Sequence, residues 1–337
     1  MLPDAPDIVR RLRAFQREVR QTLIASRRVA GLHEVSHASA ADTIYRIDTE
    51  VEPLLESLCN HWAKEHPIVL VAEGLQDEDG HEVDARVFPR GAKPEDAPLR
   101  LIVDPIDGTR GIMYDKRPAW ALAGVAPNRG PATRLRDIEI AVMSELPTSK
   151  MGYADVLWAI RGQGAQGVRE SLSDKWSDPL PIAPSTAGGI DHGFASVSNF
   201  FPGTKMLASE LMEYLVRELI GQADVTRATV FDDQYISTGG QFYELIVGHD
   251  RFNCDLRPLF YRIQNQPAGL CCHPYDCATM LIAEEAGVIL TDGLGNPLDG
   301  PLDTTTGLSW AGYANQALHD RIQPLLTRFL LERGIAL

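Results

Sequence analysis

The sequence of 337 residues lacks a long uncharged apolar run and any excess of positive charge. A transmembrane helix needs about 20 consecutive apolar residues, so neither a membrane span nor a membrane partner is expected. Acidic residues outnumber basic ones, and the net charge of −14 argues against nucleic acid as a main partner. The first residues show no basic stretch followed by an apolar core, so we expect no secretory signal peptide.

Cysteine is also scarce. The five cysteines are an odd number and form no disulfide framework, so we expect reduced thiols and a cytoplasmic location. Cys271, Cys272 and Cys277 lie near His273, and a structural zinc site is the alternative. Reduced thiols are favoured because the spacing fits no C-x-x-C pairing and Cys277 falls in a predicted helix.

The length is sufficient for two domains, and a hydrophobic content of 44% is sufficient for a sizeable core. Residues 171–186 are polar and proline-rich, which is typical of a boundary. We therefore predict an N-terminal subdomain at 1–185 and a C-terminal subdomain at 186–337. Helical spacing of apolar residues predicts an N-terminal helix (Ile8, Leu12, Phe15, Val19, Leu23), a second helix (Val51, Leu54, Leu55, Leu58) and a closing helix (Leu318, Ile322, Leu325, Leu326, Phe329).

The most informative segment is LIVDPIDGT at residues 101–109. Its apolar start predicts a buried strand, and Pro105 should end the strand because proline cannot donate to a sheet ladder. Asp104 and Asp107 then lie at the carboxyl end of a strand, where α/β proteins place their chemistry. Gly108 allows the backbone to approach an anion, and carboxylates beside an anion indicate Mg²⁺ between them. The alternative is an Asp-rich turn.

Two further acidic residues lie at the predicted boundaries of a strand and a helix. Residues 67–74 are another apolar run, which ends in Glu73 and a glycine. Residues 273–287 predict a loop, a helix that begins at Asp276, and a stop at Gly287. Taken alone, Glu73 is a surface acid after a strand and Asp276 is a helix cap.

Together the three segments resemble the inositol monophosphatase superfamily of magnesium-dependent, lithium-sensitive phosphatases. Residues 104–109 match its D-P-[I/L]-D-G-T motif in full. Residues 275–288 resemble its W-D-x-A-A-x-x-L-I-x-x-E-A-G-G motif, with Tyr275 in place of the tryptophan, Thr279 in place of the second alanine and Val288 in place of the last glycine. Weaker matches occur in family order at 41–52, 157–165, 238–240 and 247–250. The resemblance covers nearly the whole chain.

The resemblance implies an α+β or α/β fold, a layered αβαβα sandwich of two subdomains like that of inositol monophosphatase and fructose-bisphosphatase. It implies a phosphomonoesterase that hydrolyses a small phosphorylated polyol, such as inositol monophosphate, with two or three Mg²⁺ ions. It further implies a homodimer. Lithium inhibition is expected on this ground alone.

Hydrolysis of a phosphate monoester requires an activated water and a stabilised leaving oxygen, and two Mg²⁺ about 4 Å apart address both. By resemblance, Glu73, Asp104 and the Ile106 carbonyl hold the first metal. Asp104, Asp107 and Asp276 hold the second. Asp104 is thus the bridging ligand.

The same resemblance assigns the remaining roles. Thr109 passes a proton from the water, and Glu73 and Asp48 orient or accept it. The backbone N–H groups of Gly108 and Thr109 face the phosphate. The hydroxyl-bearing part of the substrate is expected at Ser237, Thr238 and Asp255. Two of these residues have an alternative interpretation: Thr109 is also consistent with a helix cap, and Asp48 with an exposed acid at a helix start.

Several departures from the family pattern concern the substrate. His37 stands where inositol-selective members have a lysine, and residues 255–270 are an insertion that adds Arg257 and Arg262. The alternative substrates are 3′-phosphoadenosine 5′-phosphate and a sugar bisphosphate. A non-catalytic module that binds a metal or ligand is a third reading.

Basic residues after the first motif have two interpretations. Arg110, Lys116 and Arg117 are interpreted as a solvated basic loop. The alternative is contact with a second phosphate or carboxylate of the substrate.

Overall fold

The computed structural model describes residues 2, 4–26, 35–38, 43–45, 51–75, 81, 83–222 and 226–336, without the side chains of 35–38 and 43–45. Asp48, one of the predicted catalytic residues, lies outside these ranges. The side chain of His37 lies outside the description as well.

The described residues form eight α-helices. They are α1 (Ala5–Ser26), α2 (Glu52–Trp62), α3 (Thr109–Met113), α4 (Lys205–Ile220), α5 (Thr238–Ile246), α6 (Arg257–Ile263), α7 (Met280–Ala286) and α8 (Gln316–Leu331). The three amphipathic helices predicted from apolar spacing are confirmed as α1, α2 and α8. No helix in the described ranges is long and apolar enough to cross a membrane.

The same residues form fourteen strands. They are β1 (Val35–Ala38), β2 (Thr43–Tyr45), β3 (Ile68–Ala72), β4 (Ala85–Phe88), β5 (Leu99–Asp107), β6 (Ala119–Pro127), β7 (Ile140–Leu146), β8 (Tyr153–Ile160), β9 (Ala165–Ser171), β10 (Ser177–Pro179), β11 (Phe194–Val197), β12 (Asp250–Asp255), β13 (Ile289–Thr291) and β14 (Trp310–Tyr313).

Two sheets organise the chain, beside the β1–β2 pair. The large sheet has eight strands in the order β10-β9-β8-β7-β6-β5-β3-β4, and β3 and β5 are its parallel neighbours. The small sheet has four strands in the order β11-β12-β14-β13. The large sheet uses residues before 180 and the small sheet uses residues after 193, while the predicted division at residue 185 stays a prediction.

The sheets and helices alternate in five layers. α1 and α2 cover one face of the large sheet, α5 and α7 lie between the two sheets, and α4 and α8 cover the far face of the small sheet. Both faces of the large sheet are therefore covered, which explains why β6 and β7 are almost continuously apolar and buried. The predicted αβαβα sandwich is confirmed.

One predicted boundary is wrong. The strand does not stop at Pro105, because β5 continues to Asp107. Asp104 pairs with Leu122 and Asp107 with Trp120, so the register shifts by one residue between them. Such a bulge leaves a residue outside the ladder, and a proline there costs no ladder hydrogen bond. The bulge carries both motif aspartates to the end of the strand.

A buried glutamate on β7 makes the stability of this fold depend on pH. Glu145 is 8% exposed, and its Oε2 accepts a hydrogen bond from Asp155 N at 3.1 Å. Burial raises the pKa of Glu145 to about 7, from 4.5. The folded state therefore favours the protonated Glu145 side chain. The contribution of this group to the free energy of unfolding is lost as the pH rises through about 7.

Replacement of Glu145 by glutamine should stabilise the protein at pH 8 by about 3 kcal/mol and have little effect at pH 4. The amide keeps an acceptor for Asp155 and removes the buried charge. Chemical denaturation at both pH values measures the difference, with Glu332→Gln as an exposed control. Equal effects at pH 4 and pH 8 would contradict the expectation.

Candidate active site

Two acidic side chains follow neighbouring strands of the large sheet. β3 and β5 run parallel, and Ala72 pairs with Val103. Glu73 and Asp104 are the next residues on these strands, so they lie side by side at one edge of the sheet. The parallel pairing thus brings together the ends of two apolar runs that are well separated in sequence.

Asp107 is held by the first turn of α5. Its Oδ2 accepts hydrogen bonds from Ser237 Oγ at 2.8 Å and from Gly239 N at 2.6 Å. Ser237 Oγ also accepts from Gly240 N at 2.8 Å and so caps α5. Burial raises the pKa of Asp107 to about 7 in spite of the hydrogen bonds it receives. The start of α5 therefore orients a buried carboxylate.

Asp276 is positioned by a turn and not by a helix start. The predicted start is wrong, because α7 begins at Met280, with Thr279 as its N-cap residue. The Oδ2 atom of Asp276 instead accepts from His273 N at 2.6 Å. The predicted stop is confirmed, since Gly287 follows α7 with a φ of 95°. Asp276 is thus not a helix cap.

The carboxylates of Asp104, Asp107 and Asp276 meet, and oxygen atoms of all three lie within 4.8 Å of one another. Burial, followed by the charge of neighbouring carboxylates, raises the pKa of Asp104 and Asp276 well above the usual range. Glu73 contributes to both shifts. The ionised carboxylates repel one another in this buried site, and a divalent cation such as Mg²⁺ or Ca²⁺ binds preferentially to oxygen ligands of this kind. We call these three aspartates and Glu73 the acidic cluster.

Thr109 is the first residue of α3 and stands beside this cluster. Its Oγ1 donates a hydrogen bond to the Ile106 carbonyl at 2.7 Å. Gly108 precedes it with a φ of 93°, and a Cβ there would lie 3.1 Å from Ser237 Cβ. A glycine is therefore required both for the backbone angle and for the contact with α5.

The acidic cluster opens into a cavity of about 150 Å³. Besides the cluster, Gly108 and Thr109, its walls carry apolar, aromatic, hydroxyl and cationic side chains, among them Val51, Leu55, Phe200, Phe201, Tyr275, Ser237, Thr238, Arg110 and Arg257. The cavity therefore presents carboxylate oxygens that suit a metal cation and arginine side chains that suit an anion.

The three predicted substrate residues have different positions. Ser237 and Thr238 line the cavity. Asp255 is fully buried, and its carboxylate receives Arg257 Nε at 2.9 Å and 3.0 Å. Arg257 is among the residues that line the cavity, and Asp255 is not. The predicted contact of Asp255 with substrate stays a prediction, and Arg257 is the residue that lines the wall.

Two glycines support the aspartates, and the sequence reasoning did not assign them this role. A Cβ at Gly239 would lie 2.9 Å from Asp107 Oδ2, and a Cβ at Gly124 would lie 2.6 Å from the Ala278 carbonyl. Gly124 therefore lets the segment after Asp276 pack directly on β6. Its position inside an apolar strand pattern was the available signal, because such a glycine often marks a close approach.

If the three aspartates hold a divalent cation, replacement of Gly239 by alanine is expected to weaken its binding about 10- to 100-fold, as changes to groups that orient metal ligands do. The new methyl group would lie 2.5 Å from Leu122 Cδ2 and 2.9 Å from Asp107 Oδ2, so both the leucine and the carboxylate would have to shift. Titration calorimetry measures the loss. Gly152→Ala is the control, because a Cβ there would meet no atom within 4 Å. Equal affinities in both variants would show that Gly239 does not position the ligand.

In the described part of the chain, no three donor atoms of the cysteines near Asp276 and of His273 lie within 4.8 Å of one another. Cys272 and Cys277 have their sulfur atoms 3.3 Å apart, and Cys271 Sγ lies 4.0 Å from His273 Nε2. The described groups of three or more converging donors comprise the three aspartates alone. Burial raises the pKa of the Cys271 thiol to about 12, which disfavours the thiolate that binds zinc.

The basic residues after the first motif differ from one another. Lys116 is exposed, as expected for a solvated loop. Arg117 is not, because it pairs with Asp233 at 2.6 Å and stacks on Tyr235. Arg110 lines the cavity. The interpretation as a solvated loop therefore fits Lys116 alone.

Comparisons with known proteins agree with this architecture. No family model matches the chain. A curated protein from Methanothermobacter thermautotrophicus, named fructose-1,6-bisphosphatase/inositol-1-monophosphatase, is 24% identical over 226 residues, which is 67% of each chain. Over these 226 residues the chain is therefore similar in sequence to a protein that is named both a fructose-1,6-bisphosphatase and an inositol-1-monophosphatase.

Solved structures share the fold. Leishmania major fructose-1,6-bisphosphatase has a TM-score of 0.67 at 14% identity, and the match covers 97% of this chain and 95% of that chain. The extragenic suppressor protein suhB from Bartonella henselae has a TM-score of 0.61 at 16% identity, with 98% and 100% covered. Thermotoga maritima IMPase has a TM-score of 0.58 at 15% identity, and the match covers 95% of this chain and 97% of that chain.

Proposed function

We propose that this chain, which belongs to the inositol monophosphatase superfamily and is a phosphoric monoester hydrolase, is a Mg²⁺-dependent enzyme for a small phosphorylated polyol or sugar. The observation that carries the proposal is the acidic cluster, which lines one cavity together with Thr109. A buried group of carboxylates costs stability in an apoprotein, and a bound divalent cation would offset the repulsion between them.

The convergence of three aspartate carboxylates supports their assignment as metal ligands, and Glu73 and the Ile106 carbonyl are added from the family resemblance. Asp104, Asp107 and Asp276 would hold the ions, together with Glu73 and the Ile106 carbonyl. When bound, Mg²⁺ supplies activation of the attacking water and stabilisation of the leaving oxygen. The number of ions, two or three, remains part of the proposal.

Thr109 orients the water in this proposal. Its Oγ1 donates to the Ile106 carbonyl, and because a hydroxyl oxygen can also accept hydrogen bonds, we assign to it a hydrogen bond from the attacking water. The water is thereby turned so that its own lone pair faces the phosphorus. Glu73, on the neighbouring strand, takes the proton that the water releases. Asp48 has the same proposed role and lies outside the described residues.

The hydroxyls near the cavity have separate roles. Ser237 Oγ already donates to Asp107 and accepts from Gly240, so it positions a ligand carboxylate. Thr238 lines the same wall and is the hydroxyl that we assign to the substrate. The backbone N–H groups of Gly108 and Thr109 are assigned to the phosphate oxygens.

Phosphate release from a substrate panel, with Mg²⁺, with a chelator and with added Ca²⁺, tests the function. The panel holds inositol 1-phosphate, glycerol phosphate, fructose 1,6-bisphosphate, fructose 1-phosphate and 3′-phosphoadenosine 5′-phosphate. We expect turnover that requires Mg²⁺ and falls with Ca²⁺, which prefers larger and looser coordination. Full turnover in the chelator would overturn the metal mechanism. Mg²⁺ binding without turnover of any substrate would favour the non-catalytic module.

The homodimer remains a proposal that rests on the resemblance, and the cytoplasmic location remains one that rests on the cysteine content. Light scattering of the purified protein tests the first. A monomer at assay concentration would dismiss the dimer without affecting the proposed chemistry.

A further inference from the structure

A buried tyrosine joins the two elements that hold Asp107. Tyr235 lies just before α5, is 4% exposed and is not among the residues that line the cavity. We propose that Tyr235 is a positioning residue of the metal site, and that its side chain fixes the start of α5 against β6 so that Ser237 holds the carboxylate of Asp107. The inference rests on the proposed function, in which Asp107 is a metal ligand.

The hydroxyl of Tyr235 connects the segment before α5 to β6. It accepts a hydrogen bond from Trp120 Nε1 at 2.9 Å and donates one to the carbonyl of Pro118 at 3.0 Å. Trp120 is fully buried, and it is the ladder partner of Asp107 in the pairing of β6 with β5. The hydroxyl is therefore bonded to the strand position that lies opposite the proposed ligand.

The ring of Tyr235 packs against the first turn of α5. A Cβ at Gly240 would lie 2.5 Å from two atoms of this ring, so the turn and the ring are in close contact. Gly240 N donates to Ser237 Oγ at 2.8 Å, and Ser237 Oγ in turn donates to Asp107 at 2.8 Å. Ser237 N also donates to the carbonyl of Tyr235 at 2.9 Å. The tyrosine thus contacts the serine through both its ring and its backbone.

Arg117 holds the same ring from a second direction. Its guanidinium carbon lies 4.2 Å from the centroid of the Tyr235 ring, and its Nη1 donates to Asp233 at 2.6 Å. The carbonyl of Asp233 accepts from Tyr235 N at 3.0 Å. A cation–π contact of this kind stabilises the position of the ring. One of the basic residues after the first motif therefore supports the segment before α5.

These contacts form a continuous chain from β6 to the proposed ligand. Trp120 bonds to Tyr235, Tyr235 contacts the turn of Ser237, and the serine bonds to Asp107. Groups that orient a metal ligand affect the affinity for the metal although they do not touch it. A shift of the turn would leave the carboxylate of Asp107 without its partner, so the metal affinity should depend on the hydroxyl of Tyr235.

Tyr235→Phe removes the hydroxyl and keeps the ring. Titration calorimetry with Mg²⁺ should show binding about tenfold weaker than in the unmodified protein. Tyr313→Phe is the matched control, because Tyr313 is fully buried and its hydroxyl donates to Gln323 at 2.7 Å. Both variants lose a buried hydrogen bond and should lose stability, but Tyr313→Phe should keep its affinity for Mg²⁺.

A double-mutant cycle tests the route through Ser237. Ser237→Ala should weaken Mg²⁺ binding by itself, because it removes a hydrogen bond to Asp107. Addition of Tyr235→Phe to this variant should then change the affinity less than about twofold, since residues of one network do not have additive effects. Two fully additive losses would overturn the route through the serine.

The other outcomes also have a defined meaning. Unchanged Mg²⁺ affinity in Tyr235→Phe, or an equal loss in Tyr313→Phe, would overturn the positioning role. If Tyr235→Phe does not fold, Arg117→Gln replaces it, and it too should weaken Mg²⁺ binding, while unchanged binding would overturn the role. Absence of both Mg²⁺ binding and Mg²⁺-dependent phosphate release in the unmodified protein would instead overturn the proposed function, so the two failures are distinguishable.

Discussion

Asp104→Asn is expected to lower Mg²⁺-dependent phosphate release by about 10³-fold or more and at the same time to stabilise the metal-free protein. Metal ions contribute several kcal/mol to the stabilisation of the transition state, and each 1.36 kcal/mol is tenfold in rate. Asparagine keeps an oxygen for the Ile106 N–H, which now lies 2.9 Å from Asp104 Oδ1. It removes one buried charge from the acidic cluster.

The pH dependence of this stabilisation has a definite sign. The pKa of Asp104 is raised above its usual range by burial first and then by its acidic neighbours, so the folded state favours the protonated form. The wild-type fold loses stability as the pH rises through these raised pKa values, and Asp107 titrates at about 7. The gain from Asp104→Asn should therefore be small near pH 4 and should grow through neutral pH.

Activity and melting temperature are measured in parallel, the latter with a chelator and with Mg²⁺. Asp178→Asn, an exposed change on β10, serves as the control and should alter neither. Substantial turnover by Asp104→Asn would show that this carboxylate is not a metal ligand. A lower melting temperature of the metal-free variant would show that the acidic cluster is not a source of repulsion.

Thr109→Ala is expected to lower kcat about 10²- to 10⁴-fold, which is the usual contribution of a positioned group in proton transfer. The variant loses the hydroxyl that donates to the Ile106 carbonyl at 2.7 Å. Loss of this hydrogen bond should cost only about 1 kcal/mol of stability. A rapid assay of phosphate release at saturating substrate measures kcat directly.

Thr109→Ser is the matched control, because serine keeps the hydroxyl and should keep most of the activity. Mg²⁺ affinity, measured by calorimetry, should change little in either variant. An alanine variant with nearly unchanged kcat would exclude Thr109 from the reaction. A serine variant as inactive as alanine would point to the methyl group, and hence to packing.

Local patterns were sufficient for the secondary structure. The apolar spacing from Ile8 to Leu23 predicted α1, and the continuous apolar run before Asp104 predicted β5, because period and length distinguish helix from buried strand. The errors were also local. Pro105 was taken as a stop, although a bulge accommodates it, and Asp276 was taken as a helix start, although a turn precedes α7.

The sequence by itself determined the chemical character of the site. A D-P-I-D-G-T motif at the end of an apolar run has carboxylates, a flexible glycine and a hydroxyl within six residues, and these need only local geometry to face one another. The same local reasoning marked Glu73 and Asp276 as acids at the ends of their elements. Hard oxygen donors in that setting predict a divalent cation wherever the chain brings them together.

Only the tertiary structure decided which of these groups meet and what faces them. The parallel pairing of β3 and β5 placed Glu73 beside Asp104, and the packing of α5 and α7 between two sheets carried Ser237 and Asp276 to Asp107. The same packing buried Asp255 and presented Arg257 to the cavity. The spacing of apolar residues indicates which face of a helix or strand is buried, but it does not indicate which distant element covers that face. The acidic cluster and the position of Arg257 in the cavity wall are therefore products of packing.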